Sequence, residues 1–408
     1  MKIKCNPIVL FFFLNIFFSC TNDEIDTNLI DPVRPYPAID ITGINEPTEI
    51  QTLATISQWM ARPQDITDAH LYYENKKLDI QGNWKMVWYA NELKSEKEIG
   101  AIISKHKINR NTFNISPSSK KIANSINELL SISTWNDFSL PNNHKNALEN
   151  ILSLEAVNYL SAKKETIIDV LANYIKKDPS LHLPIKIYVS GISNSGNLSL
   201  YLSTAIYQEL NTQLQDVKLL PNDVRIECFT YNPINFTSSN FVNYFNSLPE
   251  KQGNQQEFIT IDFTNFSNNS DVLSNFSLSE NFISSFSYPM SNNLQNQIQN
   301  EFQSIALNSE ITGIFNNIRG NHQVISENKL NKNSYHVPTT ISTLEEFKSY
   351  LLWKHDTKNI LITNNGICIP VNPRKHIDCP NPEDIFVPLK NPIIDSYLQL
   401  IFNMQTEN

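Results

Sequence analysis

Glycine is scarce in this chain, with 9 among 408 residues. Globular proteins contain about 7% glycine, so this content excludes a collagen-like sequence and a Gly-rich linker architecture, and it disfavours the glycine motifs of propeller repeats. Charged residues are also few, at 18%. The chain nevertheless carries 22 Phe, 15 Tyr and 5 Trp, which supply enough apolar bulk for a buried core and exclude a wholly disordered protein.

The charge balance is acidic, because 32 Lys and Arg stand against 41 Asp and Glu for a net charge of −9. No long basic stripe occurs along the sequence, which argues against nucleic acid as the main partner. The H-E-x-x-H, P-loop and G-x-G-x-x-G motifs are missing, so the sequence predicts no metal and no nucleotide cofactor. A glycosidase with paired carboxylates stays open, because such pairs have no fixed spacing.

The chain lacks long hydrophobic runs, and its one marked apolar run lies at residues 8–18, after Lys2 and Lys4. As a helix this run is about 16 Å long, too short for a hydrocarbon core of about 30 Å. It closes on Ser19-Cys20, and the pattern resembles a bacterial lipoprotein signal with cleavage before Cys20 and a lipid on its sulfur. An ordinary cleaved secretory signal is the alternative. We therefore expect a lipid-anchored protein of the bacterial cell envelope that contacts the membrane through this anchor.

The acidic stretch at 21–26 is similar to export signals of surface-displayed lipoproteins, which extends the expectation to the outer membrane or the cell surface. Cysteine is scarce too, with five in the chain. Cys368 and Cys379 flank a Pro-containing stretch, and an oxidising envelope would permit a disulfide between them. Residues 1–19 are predicted as the signal peptide and 20–45 as a flexible tether.

Short apolar runs at 185–189, 224–230 and 258–263 are typical of strands of one sheet. Between the first two, residues 197–214 carry an apolar helical face. A strand, a helix and a strand at this spacing form a βαβ unit, which predicts a parallel sheet flanked by helices, an α/β fold. Residues 356–408 contain several Pro and short apolar runs, which indicate a small β-rich C-terminal extension.

The segment at 187–198 joins a predicted strand directly to a predicted helix, as a nucleophile elbow requires. In such a turn the central residue adopts a strained backbone conformation, and the residues two before and two after it must be small. Gly191 and Ser195 satisfy this condition around Ser193. Ser193 is therefore the candidate nucleophile, and the backbone N–H of Asn194 is a candidate oxyanion donor.

The stretch V-S-G-I-S-N-S-G-N-L at 189–198 resembles the elbow of the class 3 (fungal-type) lipases, roughly G-H-S-L-G-G-A-L. Gly191, Ser193 and Gly196 match, whereas Ile192 replaces the usual His and Ser195 replaces a Gly. The segment at 228–241 is similar to the family's F-G-x-P-R-V-G-N strand end. The segment at 268–273 is similar to its N-x-x-D-I-V turn. The resemblance implies an α/β-hydrolase domain over residues 46–355, with a Ser…Asp…His triad in that chain order.

The resemblance assigns the orienting acid to Asp271, with Asp262 as a weaker rival. For the base it favours His336, which precedes a helix beginning near Ser342, and the alternative is His322. His355 and His376 are less favoured. The second oxyanion donor should lie at 114–118, where the family has R-G-T. Since Pro117 has no N–H, Ser116 or Ser118 must serve, and we select Ser118.

Two functions from different classes follow. The first is a membrane-anchored serine hydrolase that cleaves carboxylic esters, with an ester or a lipid as its substrate. The second is a non-catalytic surface lipoprotein that uses a decayed hydrolase scaffold to bind a glycan, a lipid or a protein. Retention of Ser193, Asp271 and a suitable His favours the first, and the departures from the elbow motif favour the second. The sequence does not fix the oligomeric state.

Overall fold

The fold is built around one mixed sheet covered by helices on both faces. In the computed structural model, the described residues are 49–60, 84–92, 95–118, 131–135, 137–158, 162–177, 184–250, 257–268, 273–274, 291–308, 313–325, 342–345, 347, 361–363 and 366–368. The predicted signal peptide and tether lie outside these residues, and the predicted domain boundaries stay predictions.

The main sheet has nine strands in the order β11-β10-β9-β8-β3-β2-β1-β6-β7. Their bounds are β1 Trp84–Glu92, β2 Ser95–His106, β3 Thr112–Pro117, β6 Ala156–Asn158, β7 Lys163–Glu165, β8 Ile185–Ile192, β9 Val224–Tyr231, β10 Ile259–Asn268 and β11 Asn321–Ile325. Two smaller sheets pair β4 Ile132–Trp135 with β5 Phe138–Pro141, and β12 Leu361–Thr363 with β13 Gly366–Cys368.

The prediction of a mostly parallel sheet is met in part. Strands β3, β8, β9, β10 and β11 are parallel to one another and form one block. Strands β2, β1, β6 and β7 extend this block by antiparallel pairing. Because parallel strands share one direction, the block has a start edge, where its strands begin, and an end edge, where they finish.

The described helices are α1 Glu49–Met60, α2 Asn142–Ser153, α3 Ile167–Lys177, α4 Asn194–Gln213, α5 Ser239–Ser247 and α6 Asn292–Asn308. Helix α4 packs on β8, β9 and β10, and it buries the apolar face that the sequence predicts, including Leu198, Leu202 and Leu210. It connects β8 to β9, so the predicted βαβ unit is confirmed. None of the described helices has the length and apolarity to cross a membrane.

Helix α1 covers the opposite face of the parallel block. Aromatic side chains of the sheet attach it, because the Tyr188 hydroxyl donates to Glu49 Oε2 at 2.6 Å and the Tyr231 hydroxyl donates to the Ile50 carbonyl at 2.9 Å. The Tyr231 ring stacks on Phe266 with 5.4 Å between centroids. The central parallel strands β3, β8 and β9 thus have helices on both faces, which is the usual environment of parallel strands.

In the predicted C-terminal extension, the described residues form the antiparallel pair β12 and β13. Cys368 is the last residue of β13, and Cys379 lies outside the described residues. The disulfide between them stays a prediction.

Candidate active site

Ser193 occupies the turn between the last residue of β8 and the first residue of α4, at the end edge of the parallel block. Its φ is 54° and its ψ is −125°. Residues other than glycine rarely adopt a positive φ, and holding this backbone conformation costs about 1–3 kcal/mol. The Ser193 N–H donates to the Tyr231 carbonyl of β9 at 2.7 Å, which fixes the turn to the neighbouring strand. The predicted strand, strained turn and helix are all found here, whereas the role of Ser193 as nucleophile stays a prediction.

Gly191 has no room for a side chain. A Cβ atom at this position would lie 2.2 Å from the Ser195 carbonyl oxygen and 2.5 Å from the Ser199 hydroxyl. At Gly196 the nearest atom to an added Cβ would be the Gly191 carbonyl oxygen, at 3.1 Å. The two arms of the turn therefore approach as closely as the sequence analysis expects of an elbow.

The hydroxyl of Ser195 is accommodated within the turn. Ser195 is fully buried, and its Oγ donates to the Ile192 carbonyl at 2.8 Å and accepts from the Ile192 N–H at 3.1 Å. Both of its polar contacts are thus made inside the turn. The hydroxyl therefore closes the turn and does not obstruct it.

The loop after β9 is locked to the elbow helix by a buried amide. Asn197 is 0% exposed, its Nδ2 donates to the Ile234 carbonyl at 2.8 Å, and its Oδ1 accepts from the Ile234 N–H at 2.7 Å. A buried amide that exchanges hydrogen bonds with a backbone segment fixes the distance between the two elements. Asn197 therefore acts as a positioning residue for the end edge, a role that the sequence analysis did not assign.

His144 of α2 contacts the residue after the candidate nucleophile. It is 2% exposed, and its Nε2 hydrogen-bonds the Oδ1 of Asn194. Because an amide oxygen only accepts, the Nε2 carries the proton. Burial lowers the pKa of His144 from its ordinary value of 6.5 to about 4, so the ring is neutral at pH 7. The Nδ1 is buried and has no hydrogen-bond partner in the part of the chain that the structure describes.

Sequence reasoning missed His144 because it searched for a base after the acid in chain order. His144 precedes Ser193 by 49 positions and lies in α2, whereas Ser193 lies in the turn before α4. Only the fold brings α2 against α4, and no local motif signals the contact. The histidine fixes the Asn194 side chain, and Asn194 is the residue whose backbone N–H is the predicted oxyanion donor.

Ser118 directly follows β3, the strand beside β8. Continuing the β3–β8 register, in which Ile115 pairs with Val189, brings Ser118 level with Ile192 at the elbow. Its backbone N–H donates to the Gly100 carbonyl at 2.8 Å and is therefore committed to the sheet. Its Oγ is buried, and no described residue hydrogen-bonds it. Any oxyanion donor at Ser118 is thus the hydroxyl and not the N–H.

The rival donor, Ser116, belongs to a closed network. Its Oγ accepts from Asn114 Nδ2 at 2.9 Å and lies 3.1 Å from the Ser190 Oγ, which in turn donates to Asn114 Oδ1 at 3.0 Å. All three side chains are fully buried. Since these groups satisfy one another, Ser116 is a structural residue of the sheet.

Asp271, His336, His355 and His376 lie outside the described residues, so their predicted roles stay predictions. The chain just after Asp271 is described, and it lies at the end edge. The Leu273 carbonyl accepts from the Asn235 N–H at 2.8 Å, and the Ser274 hydroxyl donates to Asn232 Oδ1 at 2.7 Å. Asn232 follows β9 directly, beside the strand that leads to Ser193.

His322 and Asp262 are not brought to Ser193. His322 of β11 pairs with Asn265 of β10. Asn265 in turn pairs with Thr230 of β9, which pairs with Gly191 of β8. His322 is therefore three strand spacings, of about 4.8 Å each, from the elbow. Its Nε2 hydrogen-bonds the Ile318 carbonyl at 2.7 Å. Asp262 lies mid-strand in β10 opposite Glu227.

Lipases of known structure are similar to this chain at a low level. M37 lipase has a TM-score of 0.49 and 15% identity, over 76% of this chain and 91% of that one. Rhizomucor miehei lipase, in its propeptide complex, has a TM-score of 0.36 and 12% identity, over 56% of this chain and 62% of that one. The lipase of Rhizopus microsporus var. chinensis has a TM-score of 0.36 and 13% identity, over 59% of this chain and 75% of that one.

No protein-family model and no curated protein matches the chain. Within the described residues, no group of His, Cys, Asp and Glu is arranged to hold a metal ion.

Proposed function

We propose that this protein is a serine hydrolase that cleaves carboxylic esters, with Ser193 as its nucleophile. The observation that carries the proposal is the strained Ser193 backbone, with φ of 54°, at the junction of β8 and α4. Strain of this size persists only where the surrounding structure enforces it, and it is characteristic of functional sites. Gly191 and the Ser195 hydroxyl enforce it here.

The mechanism is acyl transfer to water. His336 takes the Ser193 proton as the hydroxyl oxygen attacks the ester carbonyl, and Asp271 holds the imidazole in the required tautomer. The tetrahedral oxyanion accepts hydrogen bonds from the Asn194 N–H and the Ser118 hydroxyl. The protonated imidazole then gives its proton to the departing alcohol, and a water molecule cleaves the acyl-enzyme to release the carboxylic acid.

Each oxyanion donor contributes about 3 kcal/mol to lowering the barrier. Ser118 supports the proposal because its hydroxyl is buried near the elbow and has no hydrogen-bond partner among the described residues. A buried hydroxyl without a partner is costly, and a substrate oxyanion would satisfy it. Ser193 itself is 6% exposed, so a substrate would contact it in a recess and not on an open surface.

We also propose that the protein is anchored to the bacterial cell envelope by a lipid on Cys20. The lysines before the apolar run and the Ser19-Cys20 junction support this proposal. Mass spectrometry of the N-terminal peptide from envelope fractions tests it. A diacylglyceryl mass on a peptide that begins at Cys20 is expected, and a free cysteine in an uncleaved chain contradicts it.

Covalent labelling with a fluorophosphonate probe tests the nucleophile. We expect the full chain to be labelled on the peptide that contains Ser193, and Ser193→Ala to abolish labelling. Ser199→Ala is the matched control, because Ser199 lies on the same helix and its hydroxyl is bonded to the Ser195 carbonyl at 2.7 Å. Labelling of Ser199→Ala should equal that of the unaltered chain.

A scaffold that binds a ligand without turnover is the second candidate. The specific observation that favours it is the Ser118 N–H, which is bonded to Gly100 and cannot bind an oxyanion. The same probe separates the candidates. An unlabelled chain, under conditions where a known esterase reacts fully, would assign the fold to binding a glycan, a lipid or a protein.

A further inference from the structure

The start edge of the parallel block carries an unusual surface. Within the described residues, the two large hydrophobic side chains that are exposed are Ile108, at 73%, and Leu220, at 68%, and both lie at this edge. Ile108 is in the turn before β3, and Leu220 is in the loop before β9. Cationic side chains surround them. The basic–aliphatic patch comprises Lys107, Ile108, Arg110, Lys176, Lys218 and Leu220, all of them exposed.

Backbone hydrogen bonds hold the parts of this patch together. The Asn111 carbonyl accepts from the Lys186 N–H at 2.9 Å, and the Asp223 carbonyl accepts from the Ile185 N–H at 2.8 Å. The turn before β3 and the loop before β9 therefore flank the first two residues of β8. Helix α3 contacts the turn before β3, because the Tyr174 hydroxyl donates to the Arg110 carbonyl at 2.8 Å. The patch is one surface rather than scattered side chains.

The basic–aliphatic patch is positively charged, although the whole chain has a net charge of −9. Lys85 at the start of β1 adds a further exposed cation at this edge. The exposed acids described on the adjoining loops are Asp216 and Glu257. Cations around exposed aliphatic side chains are the composition of a surface that lies on an anionic bilayer, with the aliphatic groups in the interface and the cations at the headgroups.

Helix α1, to which residues 1–48 connect, begins on a face of the parallel block, where the Glu49 carboxylate accepts from Tyr188 in the middle of β8 and the Ile50 carbonyl accepts from Tyr231 at the end of β9. Helix α1 begins at Glu49, whose carboxylate lies 3.8 Å from the Nζ of Lys186, the second residue of β8. Residues 1–48, which include the predicted lipid attachment at Cys20, connect to the fold at Glu49. A lipid at Cys20 would bring the domain to the membrane, and the patch would orient the domain there.

We infer that the basic–aliphatic patch docks on an anionic phospholipid surface and turns the end edge, with Ser193, away from that membrane. From Ile185 to Ser193 the chain rises along β8 by roughly 25 Å. Where the proposed ester hydrolysis holds, this part of the inference defines its substrate. The substrate is an ester delivered from the aqueous side and not a lipid of the bilayer on which the protein lies.

Hydrogen exchange of the full chain on vesicles tests the orientation. With phosphatidylcholine vesicles that contain phosphatidylglycerol, we expect amides at 107–111 and 215–222 to exchange several-fold more slowly than in solution. Exchange at 190–197 should not change. Pure phosphatidylcholine, or about 0.5 M salt, should remove the protection, because salt screens the attraction. Protection at 190–197 instead, or equal protection at both edges, would overturn the inference.

Partition measurements give a second readout that is independent of ester hydrolysis. The full chain with Cys20→Ser lacks the predicted lipid, and its partition ratio between anionic and neutral vesicles isolates the electrostatic contribution. Each cation at the surface strengthens binding about fivefold, so Lys107→Gln, Arg110→Gln and Lys218→Gln together should lower the ratio about a hundredfold. The control is the double variant Lys163→Gln with Lys164→Gln, which removes two exposed lysines of β7 that lie away from the patch. Its partition ratio should fall much less than that of the triple variant.

An unchanged ratio in the triple variant would contradict docking through this patch. Protection at 107–111 that depends on protein concentration and not on vesicles would assign the patch to a second copy of the chain, and would likewise overturn the inference. Failure of probe labelling at Ser193 would remove the hydrolase but leave these vesicle results untouched. The two proposals are thus tested separately.

Discussion

The two edges of the parallel block are built from the same strands but by different means. At the end edge, small polar side chains are buried and interlocked, as Asn197 with Ile234 and Ser195 with Ile192. At the start edge, the turns project exposed cations and aliphatic groups into solvent. Loop flexibility is restricted where chemistry needs fixed atoms, whereas a docking surface needs only charge and area. The end edge should therefore be intolerant of substitution, and the start edge tolerant.

Gly191→Ala should have the largest effect. An alanine Cβ would lie 2.2 Å from a backbone oxygen, which no rotamer change can relieve. We expect a loss of at least about 4 kcal/mol in the free energy of unfolding, or failure to fold, measured by urea denaturation. Gly196→Ala is the matched control, with a nearest contact of 3.1 Å, and should lose about 1–2 kcal/mol. Equal losses in the two variants would contradict the tight elbow.

The pH dependence of stability should follow His144. Its folded pKa is about 4 against 6.5 ordinarily, so between these pH values the unfolded chain binds a proton that the folded chain does not. The free energy of unfolding therefore falls as the pH drops from 6.5 to 4, by about 3 kcal/mol from this residue.

His144→Gln isolates this contribution. The Gln amide can still donate to Asn194 Oδ1 but does not titrate. The stability of the unaltered chain relative to the variant should decline by about 3 kcal/mol across the window, as measured by denaturant titrations at several pH values. If the free energies of unfolding of the two proteins change in parallel from pH 6.5 to 4, the His144 imidazole is not buried in its neutral form.

The elbow was predictable from the sequence because all of its parts lie within a dozen residues. A strand, small residues around Ser193 and an amphipathic helix follow one another directly, and local chemistry decides the backbone there. The βαβ unit was predictable for the same reason. The antiparallel half of the sheet was not, because Trp88 pairs with Asn158 across a long separation.

Other contacts of the site depend on the fold in the same way. Hydrogen bonds join His144 to Asn194 and commit the Ser118 N–H to Gly100, and in each case the partners belong to different elements. The basic–aliphatic patch is likewise assembled from turns and a helix end that no single stretch of sequence contains. Periodicity identifies elements, but it does not identify which of them meet.

Ser193→Gly should have the smallest effect and the opposite sign. Glycine adopts a positive φ without steric cost, so the substitution releases strain of about 1–3 kcal/mol while adding some conformational entropy to the unfolded chain. We expect a net gain of about 1 kcal/mol in stability, together with complete loss of probe labelling. The start edge supplies the matched control in Asn222, which has a φ of 63°. Asparagine tolerates this conformation well, so Asn222→Gly should change stability by less than about 0.5 kcal/mol. A gain at Asn222 as large as that at Ser193 would mean that the strain is a general property of turns in this protein. A gain at Ser193 alone would mean that the end edge holds its hydroxyl in place at the expense of stability, as a catalytic turn does.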